Sequence, residues 1–205
     1  MSTEMRNRNL DALEKRFPGI SKIIEEKKEE LLEQEALQIA EETAFTGEEI
    51  LTIKKDGRKL YLAGRRDPMA HPRNQIQVLG EIVPNAPVFI LGMGNLHYLE
   101  ELADRTDENI VLLLYEPLFS VFYKQLEKTD FDKMFGKRTV AIVIGGINDD
   151  GLEGLVFSML HGDKIPLMKY FVLPNYVKLC MESVKKFYDC LSKCASEYKM
   201  RVDTN

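Results

Sequence analysis

The stretch Val88-Phe89-Ile90-Leu91-Gly92-Met93-Gly94-Asn95 decides the fold of this chain. Four apolar residues run into a Gly-x-Gly turn, and apolar residues at helical spacing follow from Leu96 to Ala103. A short continuous apolar run is typical of a strand buried on both faces, as in a parallel sheet. Glycines let the backbone approach a ligand closely, and the N-terminus of the next helix offers N–H groups to an anion. The stretch therefore predicts the first strand, turn and helix of an α/β domain.

More segments of the same kind follow along the chain. Apolar runs at 110–115 and 140–144 predict two further buried strands, with a helix over 119–126 between them. A helix over 152–160 then leads to a fourth strand over 168–173. Strands that alternate with helices form right-handed βαβ units around a parallel sheet. We therefore predict an α/β fold with a Rossmann-like, mostly parallel sheet.

An acidic residue stands at the end of the second predicted strand. Glu116 lies 22 residues after Gly94 (116 − 94), close to the separation at which an acidic side chain meets ribose hydroxyls in dinucleotide and S-adenosylmethionine folds. His97 replaces the third glycine of that pattern. Two hypotheses stay open: a cradle for a nucleotide or S-adenosylmethionine, and a Rossmann-like sheet that binds no nucleotide.

The candidate cleft lies where the carboxyl ends of the predicted strands meet, because open α/β sheets bind ligands there. After the third strand, Asp149 either holds a ribose or a metal or caps the next helix, and capping is favoured. For His97, a packed or capping imidazole and a catalytic one both stay open. No catalytic residue is assigned. The cofactor-binding candidates are Gly92, Gly94, Asn95, His97, Glu116 and Asp149.

No metal site is predicted. Asp130-Phe131-Asp132 matches the D-x-D pattern of metal-dependent glycosyltransferases, but it opens a short predicted helix. A cap by Thr129 or Asp130 is therefore favoured over a metal. The histidines have none of the spacings typical of metal ligands. They are His71, His97 and His161.

The first 64 residues predict helices followed by a β-hairpin. Asn9 is predicted to cap a first helix that Pro18-Gly19 ends, and Ser21 to cap a second. Residues 36–43 either continue that second helix or start a strand. Asp56-Gly57 between two apolar-rich segments predicts the hairpin. We therefore divide the chain into an N-terminal part, residues 1–64, and a Rossmann-like domain with a C-terminal helix, residues 65–205.

A long helix with one apolar face is predicted from Pro174 onward. Such a face packs either on the chain's own core or on a second copy, so a homo-oligomer through this helix is possible. Three cysteines without C-x-x-C spacing are typical of reduced core thiols in a cytosolic protein. The apolar positions are Val177, Cys180, Val184, Phe187, Leu191, Cys194 and Tyr198.

Composition narrows the classes of function. The net charge of −5 over 205 residues argues against a general binder of nucleic acids or anionic membranes. The apolar run from Ile110 to Tyr115 is too short to span a bilayer. The N-terminal residues lack the apolar region of a secretory signal. We therefore expect a cytoplasmic protein.

Five segments occur in an order that carries a family resemblance. They are residues 9–18, Leu60-Tyr61-Leu62, Arg66-Asp67-Pro68, residues 91–99 and Tyr115-Glu116-Pro117. Together they resemble the N-terminal region of the motility accessory factor (Maf) family of bacterial protein glycosyltransferases, over roughly residues 7–200. One departure is Ala63-Gly64-Arg65-Arg66, where the family often has a Ser-x-Tyr stretch.

The resemblance implies transfer of nonulosonic acid sugars, such as pseudaminic or legionaminic acid, from a CMP-activated donor to Ser or Thr of flagellin. It places that chemistry in a following domain, related to the hydroxymethylpterin diphosphokinase-like superfamily. We therefore expect an N-terminal module that is not catalytic alone, with flagellin or the missing catalytic domain as its partner. The alternative is a small transferase that binds S-adenosylmethionine or a nucleotide through Gly92, Gly94 and Glu116.

Overall fold

The computed structural model describes residues 2–106, 109–160 and 162–203, and the side chains among residues 3–197. His161 and the side chain of Tyr198 lie outside the described residues. The helices are α1 (Ser2–Arg16), α2 (Ile20–Glu35), α3 (Ala70–Val78), α4 (His97–Arg105), α5 (Phe119–Lys128), α6 (Phe131–Phe135), α7 (Leu152–Met159), α8 (Tyr176–Leu179) and α9 (Met181–Asp203). The strands are β1 (Gln38–Thr43), β2 (Glu49–Lys55), β3 (Arg58–Tyr61), β4 (Pro87–Leu91), β5 (Val111–Glu116), β6 (Thr139–Ile144) and β7 (Lys169–Val172).

Four parallel strands form the central sheet in the order β6-β5-β4-β7. The register sets Leu91 at the end of β4 beside Tyr115 of β5 and Val172 of β7. Every residue of β4 is buried, as the continuous apolar run predicted. The predicted Rossmann-like α/β fold is confirmed, and so is the adjacency of the first two strands.

A second, antiparallel sheet pairs the strands in the order β1-β2-β3. The predicted hairpin is confirmed: Asp56 and Gly57 both have positive φ, 50° and 73°, which suits the tight turn between twisted strands. Residues 36–43, which the sequence left open, form strand β1. Ala36 ends α2 in the left-handed region, and β2 then supplies hydrogen-bonding partners to the segment that follows.

Asn9 does not cap a helix, contrary to the prediction, because α1 begins seven residues earlier. The side chain is 1% exposed. Its Nδ2 donates to the carbonyl oxygens of Leu126 and Thr129, at 2.8 and 2.5 Å, and its Oδ1 accepts from the Phe131 N–H at 3.0 Å. Asn9 therefore fastens α1 to the junction between α5 and α6.

The cap of α2 is also different from the prediction. The Ser21 hydroxyl donates back to the Leu10 carbonyl at 2.7 Å. The Glu14 carboxylate instead accepts from the N–H groups of Gly19 and Ser21, at 2.6 and 3.1 Å. These hydrogen bonds lower the pKa of Glu14. An acidic residue of the preceding helix thus accepts hydrogen bonds from backbone N–H groups at the start of α2 that have no partner within the helix.

The C-terminal helix is broken where the sequence predicted a continuous one. Asn175 has a φ of 68°, α8 is one turn long, and Cys180 leaves the helical region before α9 begins. The predicted apolar stripe does pack inward along α9, since Val184, Phe187 and Leu191 are buried in the core. Self-association through this helix stays a prediction, and these residues already lie against the chain's own core.

One hydrophobic core joins the two sheets and the helices around them. Leu13 of α1, Ile53 of β2 and Leu114 of β5 belong to the same buried cluster. Helices α1 and α2 both pack against α5, and α7 packs against α9. The division at residue 64 stays a prediction, and the core crosses it. Among the described residues, every helix is too short or too polar to cross a membrane.

Candidate functional site at the topological switch point

The strand order places a switch point between β4 and β7. From β4 the chain continues to β5 and β6 on one side, and then returns as β7 on the other side of β4. In open α/β sheets, ligands bind in the crevice outside the carboxyl ends of the strands at such a point. The residues after β4 and after β7 therefore form the first place to look for a functional site.

The glycine turn after β4 makes its hydrogen bonds within the protein. The N–H of Gly92 donates to the Tyr115 carbonyl at 2.7 Å. The N–H of Met93 donates to Glu116 Oε2 at 2.7 Å, and that of Gly94 to the Tyr176 hydroxyl at 3.1 Å. The donors that would hold a phosphate thus already have acceptors in this conformation.

Glu116 is fully buried and accepts three hydrogen bonds. Besides the Met93 N–H, its carboxylate accepts from the Leu118 N–H at 2.8 Å and from the Tyr176 hydroxyl at 2.6 Å. Burial raises the pKa of Glu116 to about 8, although these hydrogen bonds oppose that rise. The side chain ties the glycine turn, the end of β5, the start of α5 and α8 together.

Glycine at position 92 accommodates a side chain of the protein itself. Gly92 has a φ of 98°, and a Cβ there would lie 2.8 Å from Cε2 of the Tyr176 ring. The ring is buried and its hydroxyl is held from two sides, so it cannot yield easily. The sequence predicted a close approach at this turn, and the partner found there is Tyr176. Nothing in the sequence signals this partner, which lies 60 residues from Glu116.

The structure brings Gly92, Gly94 and Glu116 together at the carboxyl ends of β4 and β5. The other candidates, Asn95, His97 and Asp149, have different contacts. Asn95 anchors the antiparallel sheet: its Oδ1 accepts from the Leu51 N–H at 3.1 Å and its Nδ2 donates to the Glu49 carbonyl at 3.2 Å. Asn95 and His97 also line a cavity.

Asp149 lies apart from that cavity. Its Oδ1 accepts from the Gly146 N–H at 3.0 Å and its Oδ2 lies 3.5 Å from Lys186 Nζ of α9. The side chain therefore closes the turn after β6, and the favoured prediction that it caps the next helix is wrong, because its carboxylate accepts from a residue before that helix. In the D-x-D segment, Asp130 caps α6 by accepting from the Lys133 N–H at 3.1 Å, as predicted. In the described part of the chain, no three His, Cys, Asp or Glu side chains are grouped to hold a metal ion.

The cavity at the switch point has a volume of about 340 Å³. Four segments enclose it: the residues after β3, the start of α3, the start of α4 and the turn after β7. Its walls are mostly apolar and aromatic. The lining residues are Tyr61, Leu62, Ala63, Gly64, Arg65, Pro68, His71, Pro72, Asn95, His97, Tyr98, Pro174 and Asn175.

His97 lines the cavity and holds a buried nitrogen without a partner in the described part of the chain. Its Nδ1 lies 3.1 Å from the Glu100 carboxylate, and since a carboxylate only accepts, Nδ1 carries the proton. This hydrogen bond lowers the pKa of Glu100. Nε2 of His97 is buried and has no hydrogen-bond partner among the residues that the structure describes. Buried polar atoms normally have a partner, so this nitrogen calls for one.

His71 and Tyr98 form a second polar pair in the wall. The Tyr98 hydroxyl lies 2.7 Å from His71 Nδ1. Burial raises the pKa of Tyr98 and lowers the pKa of His71. Both side chains are therefore neutral near pH 7, and they add hydrogen-bonding capacity to the wall without adding charge.

Arg65 brings a positive charge to the rim. Its guanidinium lies 5.4 Å from the ring centroid of Phe45 and 5.6 Å from that of Tyr61, distances typical of cation–π contacts. Asn175, which also lines the cavity, donates from Nδ2 to the Tyr61 carbonyl at 2.8 Å, which leaves its Oδ1 as an acceptor. No sequence pattern identified Arg65 or Asn175 as a site residue, because neither belongs to a glycine-turn pattern.

Comparison with known proteins finds a similarity to a solved structure. No family model and no curated protein matches the chain. The solved structure of the Maf glycosyltransferase from Magnetospirillum magneticum AMB-1 matches with a TM-score of 0.51 and 16% sequence identity. The match covers 93% of this chain and 35% of that chain. This chain therefore has a Maf-like fold and spans about a third of the length of that protein.

Proposed function

We propose that this chain is the N-terminal Rossmann-like module of a bacterial, motility-associated protein glycosyltransferase, and that it is not catalytic alone. The observation that carries the proposal is the likeness of 93% of the chain to a third of a Maf glycosyltransferase. The order of the sequence motifs supports the same family. The proposed reaction of the whole protein is transfer of a nonulosonic acid from a CMP-activated donor to flagellin, in the cytoplasm.

The buried cluster at the glycine turn supports a module without catalysis of its own. A transferase needs an accessible acid, base or nucleophile near its donor. The most strongly perturbed acid at the sheet edge, Glu116, is fully buried and fastens Met93 and Leu118 to Tyr176. We therefore assign it to the stability of the module, and the proposed partners are the catalytic domain and flagellin.

The alternative, a small transferase that uses the glycine turn and Glu116 for a nucleotide or S-adenosylmethionine, requires a different conformation. A ligand phosphate or ribose there has to displace the Tyr176 hydroxyl, which contacts both Glu116 and the Gly94 N–H. Calorimetric titration with CMP, S-adenosylmethionine and NAD distinguishes the two hypotheses. A micromolar complex that Glu116→Gln abolishes, while the variant stays folded, would establish the alternative.

The module hypothesis has a direct test in two parts. First, the purified chain is incubated with CMP-pseudaminic acid and flagellin, and the intact mass of flagellin is measured; no mass increase is expected. Second, the gene that encodes this chain is disrupted in its own organism, and flagellin is expected to lose the mass of its sugars until the gene is restored. Turnover by the chain alone, or flagellin of unchanged mass after disruption, would overturn the proposal.

A further inference from the structure

We propose that the switch-point cavity, walled by Tyr61, Tyr98, His97 and Asn175 with Arg65 at its rim, binds a small organic anion. The ligand class is a ring or other compact apolar body that carries one carboxylate or phosphate and at least one hydroxyl or N–H group. This inference goes beyond the module proposal and does not depend on it, since it concerns the described residues of this chain alone.

The size and position of the cavity suit a small molecule. Its volume of about 340 Å³ lies at the lower end of the range of roughly 300–1,000 Å³ for small-molecule sites. It sits beside the ends of β4 and β7, where open α/β sheets bind ligands. Three prolines and two tyrosines in the wall offer flat apolar surfaces to a ring. The body of the ligand is therefore compact and largely apolar.

The charge of the site selects an anion. Arg65 is the one lining residue that is permanently charged, and the lining contains no Asp or Glu. Among the residues that the structure describes, none forms an ion pair with the Arg65 guanidinium, whose contacts are the rings of Phe45 and Tyr61. The Arg65 side chain is exposed and lies against both rings, which reduces the entropy lost when it binds a carboxylate or phosphate.

Two acceptors define the rest of the ligand. Nδ1 of His97 donates to Glu100, so Nε2 is left as an acceptor, and it is buried without a partner among the described residues. Binding requires a small turn of the imidazole that brings this buried atom to the cavity that His97 lines. Asn175 keeps Oδ1 as an acceptor because Nδ2 donates to the Tyr61 carbonyl. A hydroxyl or N–H of the ligand would satisfy such an acceptor. An anion that lacks a hydroxyl or N–H group leaves these two acceptors without a hydrogen bond.

The first experiment is an NMR titration of the whole chain with four probes: phenyl phosphate, benzoate, phenol and inorganic phosphate. We expect at least one of the two ring-bearing anions to shift the amides of residues 61–65, 95–98 and 174–175. Phenol lacks the charge and inorganic phosphate lacks the ring, so the affinity for each should be lower by about tenfold or more. Comparing phenyl phosphate with benzoate shows whether the site prefers phosphate or carboxylate.

Matched variants locate the anion. Arg65→Gln removes the rim charge, and Arg66→Gln removes a neighbouring exposed arginine that does not line the cavity. We expect about a tenfold loss of affinity for the better anion with Arg65→Gln and an unchanged affinity with Arg66→Gln. A second cleft is lined by Lys128, Lys133 and Arg138. Equal losses, no binding of either anion, or shifts confined to that second cleft would overturn the proposal. Amide spectra of both variants verify that they are folded.

The donor part of the ligand has its own test. Titrations of 3- and 4-hydroxybenzoate are compared with benzoate, in the parent chain and in His97→Phe, which keeps a ring but removes Nε2. We expect a hydroxyl to increase affinity about threefold to tenfold in the parent chain, and this gain to disappear in His97→Phe. No gain with either hydroxybenzoate, or a gain that survives in His97→Phe, would overturn the assignment of His97 as an acceptor.

Discussion

Replacing Glu116 with glutamine should change how the stability of the protein depends on pH. Burial raises the pKa of Glu116 to about 8 from its ordinary value of 4.5. Between these two values the folded protein holds a proton that the unfolded chain has released. The free energy of unfolding therefore falls as pH rises through this window, by about 1.4 kcal/mol for each pH unit. The full fall is on the order of 5 kcal/mol.

Glutamine is neutral at every pH, so Glu116→Gln removes this titration. Its amide oxygen can accept the hydrogen bonds on one side of the pocket only. Its NH₂ group then faces the donors on the other side, which are either the Leu118 N–H or the Met93 N–H together with the Tyr176 hydroxyl. A buried donor without an acceptor costs about 1–3 kcal/mol. At pH 5 the variant should be less stable than the parent by about this amount. At pH 9 the difference should change sign, because the parent's loss of stability between pH 5 and pH 9 is larger than this cost.

The assay is denaturation by urea at pH 5, 6, 7, 8 and 9, with the difference in unfolding free energy between the parent and Glu116→Gln as the readout. Other carboxylates, such as Glu41, whose pKa the hydrogen bond from Lys124 lowers, titrate in both proteins and cancel in this difference. Glu33→Gln, on the exposed side of α2, serves as the control and should give a difference near zero at each pH. A difference for Glu116→Gln that stays constant from pH 5 to pH 9 would refute the reasoning.

Two further predictions concern single side chains. Gly92→Ala should lower the free energy of unfolding by about 3 kcal/mol or more, because it combines a positive φ with a contact of 2.8 Å between the new Cβ and the Tyr176 ring. Gly19→Ala, with a φ of 90° and open space around it, should lower it by only about 1–2 kcal/mol. Equal losses in thermal denaturation would rule out the ring as the cause. Asn9→Ala should lower the free energy of unfolding by about 2–4 kcal/mol, because it leaves the Phe131 N–H and two carbonyls of the α5–α6 junction without partners. An unchanged melting temperature would contradict this role.

Local patterns predicted the parts of the fold that depend on neighbouring residues. Continuous apolar runs identified the strands of the parallel sheet, and Asp56-Gly57 identified the hairpin, since both signals act within a few residues. Errors arose where a distant partner decided the outcome. Asn9 looks like a helix cap in sequence, but a clamp to Leu126 and Thr129 requires the packing of α1 on α5.

The candidate site divides in the same way. The sequence placed Gly92, Gly94 and Glu116 at one sheet edge, because parallel strands end together and each strand carries its turn residue with it. It could not show that Tyr176 completes this cluster from the other end of the chain. Nor could it show that a cavity opens beside the cluster, since its walls come from four segments that only the folded chain brings together.

The sequence by itself determined the alternation of strands and helices, the glycine turn and the acidic strand end, because periodicity and backbone preference are encoded residue by residue. Tertiary structure alone decided that the Glu116 carboxylate faces Tyr176, and that Arg65 and His97 meet at one cavity. The physical reason is that burial and hydrogen-bond partnership depend on contacts between residues far apart in the chain, and these contacts form only when the strand order is complete.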